Sequence, residues 1–244
     1  MKTLNIVITS GGTSEYIDVV RKITNSGTGK LGSIIAEQIS KNENINKIFY
    51  IYTTKAILPN NNFNNIEYIE VKDTNSVKIA IENVLKNNKI DYFIHSMAIS
   101  DYYVDYVTNI DLITKQIDSK ISIENILKNP NETLDNSSKL SSNEDNLIIK
   151  LKRTPKIISI IKSISPSTFL VGFKLLDNVS REKLLDTAIK LRDKNKCDLV
   201  VANDLNTIRN GAHQAYIIRS DNSYLVAISK DDIAEKIIEE MHID

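Results

Sequence analysis

Five of the chain's seven glycines, Gly11, Gly12, Gly27, Gly29 and Gly32, fall within 22 residues of one another. Glycine accepts a positive φ and lets main-chain N–H groups approach a phosphate closely. Such a cluster directly after the apolar run Leu4 to Thr9 therefore points to an anion held at the carboxyl end of a strand. Ser10-Gly11-Gly12-Thr13 occupies that place. Gly27-Thr28-Gly29-Lys30-Leu31-Gly32 matches the dinucleotide pattern G-x-G-x-x-G, which makes an NAD(P)-binding oxidoreductase one rival reading. It begins about 18 residues after Thr9 instead of at once, and Thr53-Thr54-Lys55 stands where an acidic ribose ligand is expected. The phosphate loop G-x-x-x-x-G-K-[ST] also fails, with Thr24 in place of its first glycine and Leu31 in place of its hydroxyl. The plain alternative is glycines that serve turns alone. His95, His213 and His242 lack metal-ligand spacing, and Cys197 reads as a small buried hydrophobe, not a nucleophile.

The elements that must carry these residues follow an α/β rhythm. Apolar runs suited to strands lie near Leu4 to Thr9, Lys47 to Thr53, Ile66 to Val71, Tyr92 to Ser96, Leu147 to Lys152, Phe169 to Phe173 and Leu199 to Ala202. Helical spacing marks Lys30 to Ser40, Ser76 to Lys86, Pro155 to Ile164 and Ser180 to Asn195 between them. Gln214 to Ile218 and Tyr224 to Ile228 flank a polar turn and predict a late β-hairpin, closed by a helix over Lys230 to Met241. The expected fold is one Rossmann-like three-layer domain over 1–244 with a mainly parallel central sheet. Asn60 to Asn65 is an ordinary polar turn. Val104 to Asn146 is a long polar insertion, the kind of segment that serves as a lid or an oligomer contact or lacks order.

The stretch from Ser10 to Gly32 closely resembles the opening motif of phosphopantothenoylcysteine synthetases, G-G-T-x-E-x-[IL]-D-x-V-R-x-I-[ST]-N-x-S-[ST]-G-K-x-G. Further matches follow in order. Ser96-Met97-Ala98-Ile99-Ser100-Asp101-Tyr102 is similar to A-A-A-V-[AS]-D-[YF], and Lys139-Leu140-Ser141-Ser142 to the family's lysine motif. Leu151 to Ile157 is similar to K-x-x-x-[NT]-P-x-[IL], Val171-Gly172-Phe173 to V-G-F, and Val201-Ala202-Asn203-Asp204 to V-A-N-D. Tyr16, Gly27 and the bulky His95-Ser96-Met97 depart from the usual pattern.

The resemblance implies a ligase of coenzyme A biosynthesis that joins 4'-phosphopantothenate to L-cysteine. In that family the carboxylate attacks the α-phosphate of CTP, or of ATP in some branches, and the cysteine amine then displaces the nucleotide monophosphate. Magnesium is expected with the triphosphate. By resemblance Arg21 and Asn25, spaced i and i+4, face the acyl intermediate. Arg21 is suited to fork a carboxylate or phosphate, and Asn25 to donate to the carbonyl while accepting from the amine. Lys139 is the candidate to neutralise the α-phosphate, its loop closing over the nucleotide. Ser10, Gly11, Gly12, Thr13, Lys152, Arg153, Thr154 and Pro155 are assigned to the nucleotide; Gly29, Lys30 and Asn203 to the acyl substrate. Asp101 meets ribose or magnesium, or caps the next segment. Phe173 lies against cytosine or in the core. Lys190 and Lys194 reach phosphates or form a solvated helix face, and Asn203-Asp204 faces the crevice or forms its turn.

The totals fit this reading. Lys plus Arg and Asp plus Glu are both 31, so no basic excess invites nucleic acid. A single cysteine forms no internal disulfide, no apolar run reaches the roughly 20 residues of a membrane span, and a reducing cytosol is expected. Because the motif starts near residue 10, the resemblance implies the stand-alone ligase, without the flavin-dependent decarboxylase that many bacterial relatives carry upstream. It also implies a homodimer. A non-catalytic nucleotide sensor is the other rival, and the retention of Asn25 and Lys139 weighs against it.

Overall fold

The computed structural model describes residues 4–60, 63–117, 121–209 and 213–243. Residues 61 and 62 of the Asn60 to Asn65 turn, and 118–120 of the polar insertion, lie outside them. In chain order the elements are β1 (Leu4–Ser10), β2 (Ser14–Tyr16), β3 (Lys22–Thr24), α1 (Lys30–Ile39), β4 (Ile45–Thr53), β5 (Ile66–Val71) and α2 (Thr74–Asn87). They continue with β6 (Tyr92–His95), β7 (Tyr102–Asn109), α3 (Ile110–Lys115), α4 (Ile123–Lys128), β8 (Leu147–Arg153), α5 (Ile157–Ile164), β9 (Phe169–Leu176) and α6 (Arg181–Asn195). The last are β10 (Leu199–Asp204), α7 (Leu205–Arg209), β11 (Ala215–Ile218), β12 (Tyr224–Ala227) and α8 (Lys230–Glu240). By contact density the chain forms two compact units: one comprises 1–13, 26–99 and 156–244, and the other 14–25 and 100–155.

The larger unit is the expected α/β layer structure. Its eight-stranded sheet runs β12-β11-β10-β9-β6-β1-β4-β5. The six strands from β10 to β5 pair in parallel, and the late hairpin β11–β12 adds two antiparallel strands at one edge. Strands buried on both faces are apolar at every position, and here alternate residues feed two cores. Ile6 and Ile8 of β1 and Val201 of β10 pack with Ile35 and Ile39 of α1 and Ile233 and Ile237 of α8 on one face. Val7 of β1 and Val200 of β10 pack with Val77 and Ile81 of α2, Ile161 of α5 and Leu184 of α6 on the other. The helices start where local chemistry satisfies their first N–H groups. Asp73 caps α2, accepting from the Ser76 N–H at 2.7 Å while the Ser76 hydroxyl accepts from the Asp73 N–H at 3.0 Å. Ser180 caps α6 and Ser229 caps α8.

The smaller unit differs from the sequence expectation. Leu147 to Lys152, grouped above with the strands of the parallel sheet, instead pairs antiparallel with β7 in a separate two-stranded ribbon. Its alternation of Leu147, Ile149 and Leu151 with Ile148, Lys150 and Lys152 is that of a one-sided strand. The described part of Val104 to Asn146 holds the rest of β7, α3 capped by Asn109, and α4 capped by Ser122, joined by irregular segments. Leu134 adds one bridge to the free edge of β7 through its N–H to the Val107 carbonyl, 2.8 Å.

Candidate functional site

In the α/β unit, β1 lies between β4 and β6, so the strand order reverses beside it. A crevice opens at such a reversal, outside the carboxyl ends of the strands. Ser10 to Thr13 leaves β1 there and is tied to the chain leaving β6. The Ala98 N–H donates to the Gly11 carbonyl at 2.8 Å, and the Thr13 N–H donates to the Ala98 carbonyl at 3.0 Å. The 27–32 glycine run packs on the same loop. The buried Ser10 hydroxyl donates to the Gly29 carbonyl at 3.0 Å, and Gly29 itself caps α1 with φ 74°. A Cβ on Gly27 would meet the Gly11 carbonyl at 2.7 Å, and one on Gly32 the Ser10 hydroxyl at 2.7 Å. The glycines thus let three backbone segments stack at the start of a ten-residue helix whose N-terminal N–H groups favour an anion.

Behind this loop, His95 is buried, with Nδ1 2.9 Å from the Thr9 hydroxyl. Burial lowers its pKa to about 4, so the ring is neutral at physiological pH. Burial likewise pushes the Cys197 thiol up to about 12, leaving it inert as a nucleophile. Phe173 is half-buried and packs against the core cluster of α1 and α8. Asn203 is buried and donates to the Gln214 carbonyl at 3.0 Å; Asp204 accepts the N–H groups of Asn178, Val179 and Asn206. Lys190 pairs with Asp186 at 2.7 Å, and Lys194 is exposed on the same helix. Lys30 opens α1 and is half-buried.

In the second unit, β2 and β3 form a short hairpin whose turn holds Asp18 and Arg21. The Asp18 carboxylate is buried. Its Oδ1 accepts from the N–H groups of Val20 (2.8 Å) and Arg21 (2.6 Å), and its Oδ2 from that of Leu140 (3.2 Å). The Arg21 N–H chiefly, then those of Val20 and Leu140 and the Arg21 charge, hold its pKa below the usual carboxylate value. Arg21 places Nη1 3.6 Å from Asp18 and donates from Nη2 to the Leu140 carbonyl at 3.1 Å, with its side chain 37 % exposed. Lys139 is exposed, next to the buried Leu140. Asn25 follows β3, half-buried. Because β3 is extended, the four-residue step from Arg21 to Asn25 spans roughly 13 Å of chain, unlike the helix-like proximity that an i, i+4 spacing suggests.

At the open end of the β7–β8 ribbon, Thr154 donates from its hydroxyl to the Ser100 carbonyl (2.6 Å) and from its N–H to that of Asp101 (3.0 Å). The Asp101 side chain is exposed, as are Lys152, Arg153 and Pro155, with Lys152 3.9 Å from Asp105. No group of three His, Cys, Asp or Glu side chains among the described residues could hold a metal ion. Magnesium that enters with a triphosphate keeps phosphate and water ligands and needs few from the protein, and the exposed Asp101 carboxylate is compatible with that.

Comparison with known proteins places this arrangement. The family model described as the DNA/pantothenate metabolism flavoprotein C-terminal domain matches residues 1–135 and 130–243. The chain belongs to this family. A crystal structure of the DNA/pantothenate metabolism flavoprotein from Streptococcus pneumoniae is 34 % identical, with TM-score 0.82 over 98 % of each chain. The coenzyme A biosynthesis bifunctional protein CoaBC of Thermococcus kodakarensis is 31 % identical over 237 residues, 97 % of this chain and 50 % of that protein. The chain therefore spans about half the length of the curated relatives it matches. A Cab2 mutant in complex with phosphopantothenate-cysteine shares the fold, with TM-score 0.71 at 18 % identity.

Membership in the family accounts for the motif order read from Ser10 to Asp204. The structure brings Ser10 to Thr13 together with Gly29 and Lys30 in one unit, and Arg21 with the lysine segment at Leu140 in the other. The sequence reading missed Asp18. Its only local signal is a carboxylate three residues before an arginine inside the family motif, and its partner at Leu140 lies 122 positions away. Nor does a dinucleotide reading gain support, since β4 ends at Thr53 and the chain continues with Thr54 and Lys55 where the fingerprint has an acidic residue.

Proposed function

We propose that the chain is the ligase that joins 4'-phosphopantothenate to L-cysteine in coenzyme A biosynthesis. The observation that carries this reading is the 23-residue motif from Ser10 to Gly32 in a chain of this family, with its glycines stacked at the end of β1. The uncatalysed condensation lacks a leaving group, so the carboxylate first attacks the α-phosphorus of CTP, or of ATP, and pyrophosphate departs. The amine of cysteine then adds to the acyl carbon, the nucleotide monophosphate leaves, and the amine's proton is released. No oxidation state changes, so the reaction calls for no flavin. The relatives named as bifunctional coenzyme A biosynthesis proteins, and the Cab2 complex with phosphopantothenate-cysteine, support the substrate assignment.

In this reading the backbone of Gly11 to Thr13 and the start of α1 at Lys30 meet an anionic group in the α/β unit. In the second unit Lys139 neutralises charge that builds on the α-phosphate, and Arg21 keeps unused guanidinium donors for a carboxylate or phosphate. Asn25 polarises the acyl carbonyl for the amine. Lys152, Arg153, Thr154 and Pro155 border the nucleotide, and Asp101 its magnesium, which would offset phosphate charge. By resemblance Ser10, Phe173, Lys190 and Lys194 are assigned to the nucleotide and Asn203 to the acyl substrate, while the Ser10 hydroxyl also holds the Gly29 carbonyl and the Asn203 amide that of Gln214. The chain acts as a homodimer in the cytoplasm; no described helix is long and apolar enough to cross a membrane.

The test is to supply the purified chain with 4'-phosphopantothenate, L-cysteine, magnesium and each nucleotide in turn, and to detect the amide by mass spectrometry. The amide forms with CTP in preference to ATP. Absence of the amide with every nucleotide would overturn the assignment.

A further inference from the structure

Lys139 projects from a segment without regular secondary structure, and nothing in its own side chain fixes where that segment lies. Its neighbour is held on both backbone groups. The Leu140 N–H donates to Asp18 Oδ2 at 3.2 Å, and the Leu140 carbonyl accepts from Arg21 Nη2 at 3.1 Å. Three residues before Lys139, the Asn136 side-chain amide donates to the Ile17 carbonyl at 3.0 Å, so a second anchor joins the same hairpin turn.

The cost of burying a carboxylate indicates what this arrangement is for. A buried, ionised Asp must be fully satisfied, and Oδ1 already accepts two N–H groups of its own turn. The hairpin by itself needs no more than that. Oδ2 and Arg21 reach beyond it, to Leu140, which lies 122 positions after Asp18 and directly follows the lysine. Charge-assisted bonds to the N–H and the carbonyl of Leu140 hold the two peptide groups on either side of its Cα, the first of which begins at the Lys139 Cα. They fix the Lys139 Cα while its exposed side chain stays free to swing.

We propose that Asp18 is a positioning residue, which holds the 136–140 segment so that Lys139 reaches the nucleotide phosphates during activation. The inference rests on the reading of Lys139 given above. Asp18 touches no reactant. It acts by lowering the entropy lost when the lysine is placed, so its effect belongs to the activation step and vanishes when the lysine is gone.

The experiment is single-turnover pyrophosphate release from CTP with 4'-phosphopantothenate, using full-length Asp18→Asn, Lys139→Gln and the double variant, with hydrogen exchange followed over 136–141. Asn keeps the size of Asp. If its oxygen stays on the hairpin N–H groups, its amide nitrogen faces the Leu140 N–H, donor against donor. Lys139→Gln slows release by ~10²-fold and Asp18→Asn by roughly tenfold. In the double variant Asp18→Asn adds less than about a factor of two, the non-additivity expected of two residues acting through one step. Exchange over 136–141 rises, while that of β1 and β6 is unchanged. Equal slowing by Asp18→Asn in both lysine backgrounds would reduce Asp18 to a general structural role and overturn the inference. If Lys139→Gln is slow but Asp18→Asn is not, positioning alone fails. If Lys139→Gln has no effect, the reading of Lys139 fails and takes the positioning role with it. Should Asp18→Asn not fold, Asn136→Ala loosens the other anchor, and the same comparison in the two lysine backgrounds decides.

Discussion

The Ser10 hydroxyl and the Gly29 carbonyl meet at 3.0 Å, closing the end of β1 against the first turn of α1. The bond requires a left-handed Gly29 and no side chain there. A Cβ on Gly29 would lie 2.7 Å from the Ser10 hydroxyl and 2.9 Å from the Ala56 methyl, at a φ of 74°. Gly29→Ala therefore combines a left-handed alanine with an overpacked contact. It should destabilise the protein by about 2–4 kcal/mol, read from the urea midpoint at constant m-value. A loss below about 1 kcal/mol would mean that the loop relaxes and that glycine is not needed there.

His95 sets a pH dependence. Its folded-state pKa is about 4 against a usual 6.5, because burial disfavours the imidazolium. The unfolded chain therefore binds the proton first as pH falls. The contribution is full above pH 6.5 and declines through the window down to about 4, with about 2 kcal/mol of it lost by pH 5. Thermal melts of the protein and of His95→Asn should diverge in slope across that window, with the variant flatter. Parallel slopes would show that the ring is hydrated in the folded state.

The β7–β8 ribbon carries the dimer prediction. Leu147, Ile149 and Leu151 alternate along β8 and are 37 %, 37 % and 43 % exposed, an apolar stripe on a ribbon otherwise rich in charge. Light scattering should give a mass near twice 27.5 kDa, and Ile149→Asp should lower it to that of one chain without loss of helix content. A wild-type monomer, or a variant that remains dimeric, would remove this face from consideration.

Much of the α/β unit is legible in the sequence because its parallel strands are buried on both faces. Val200, Val201 and Ala202, an apolar run just after the helical spacing of Ser180 to Asn195, cannot be mistaken for a loop. The second unit is less legible for physical reasons. The period of β7 is interrupted by a register shift between Val104 and Tyr106, so Asp105 falls out of alternation and the strand reads as polar loop. With three residues each, β2 and β3 are too short to show a period. Asp18 is invisible as an anchor because its energetics depend on the Leu140 backbone, whose identity carries no sequence signal. The family motif, by contrast, is dense enough in Gly, Asp, Arg and Asn to be read residue by residue.

In the proposed two-step chemistry, substitution of Asn25 should separate activation from amide formation. Asn25→Asp keeps the size, loses the amide donor and adds a charge that repels the oxyanion of the second step. Pyrophosphate should appear in a burst near one per active site, followed by little amide and an acyl nucleotide recoverable by acid quench. Equal loss in both steps, with no trapped intermediate, would assign Asn25 to binding or loop structure.

The most direct test of the ligase account is a single-turnover reaction of the unaltered chain with CTP, magnesium and 4'-phosphopantothenate in the absence of cysteine. The account predicts one pyrophosphate per active site and a stoichiometric acyl nucleotide, which a chase of L-cysteine converts to the amide. Pyrophosphate that appears only once cysteine is present, or an amide formed with no acyl nucleotide before it, would contradict the two-step chemistry.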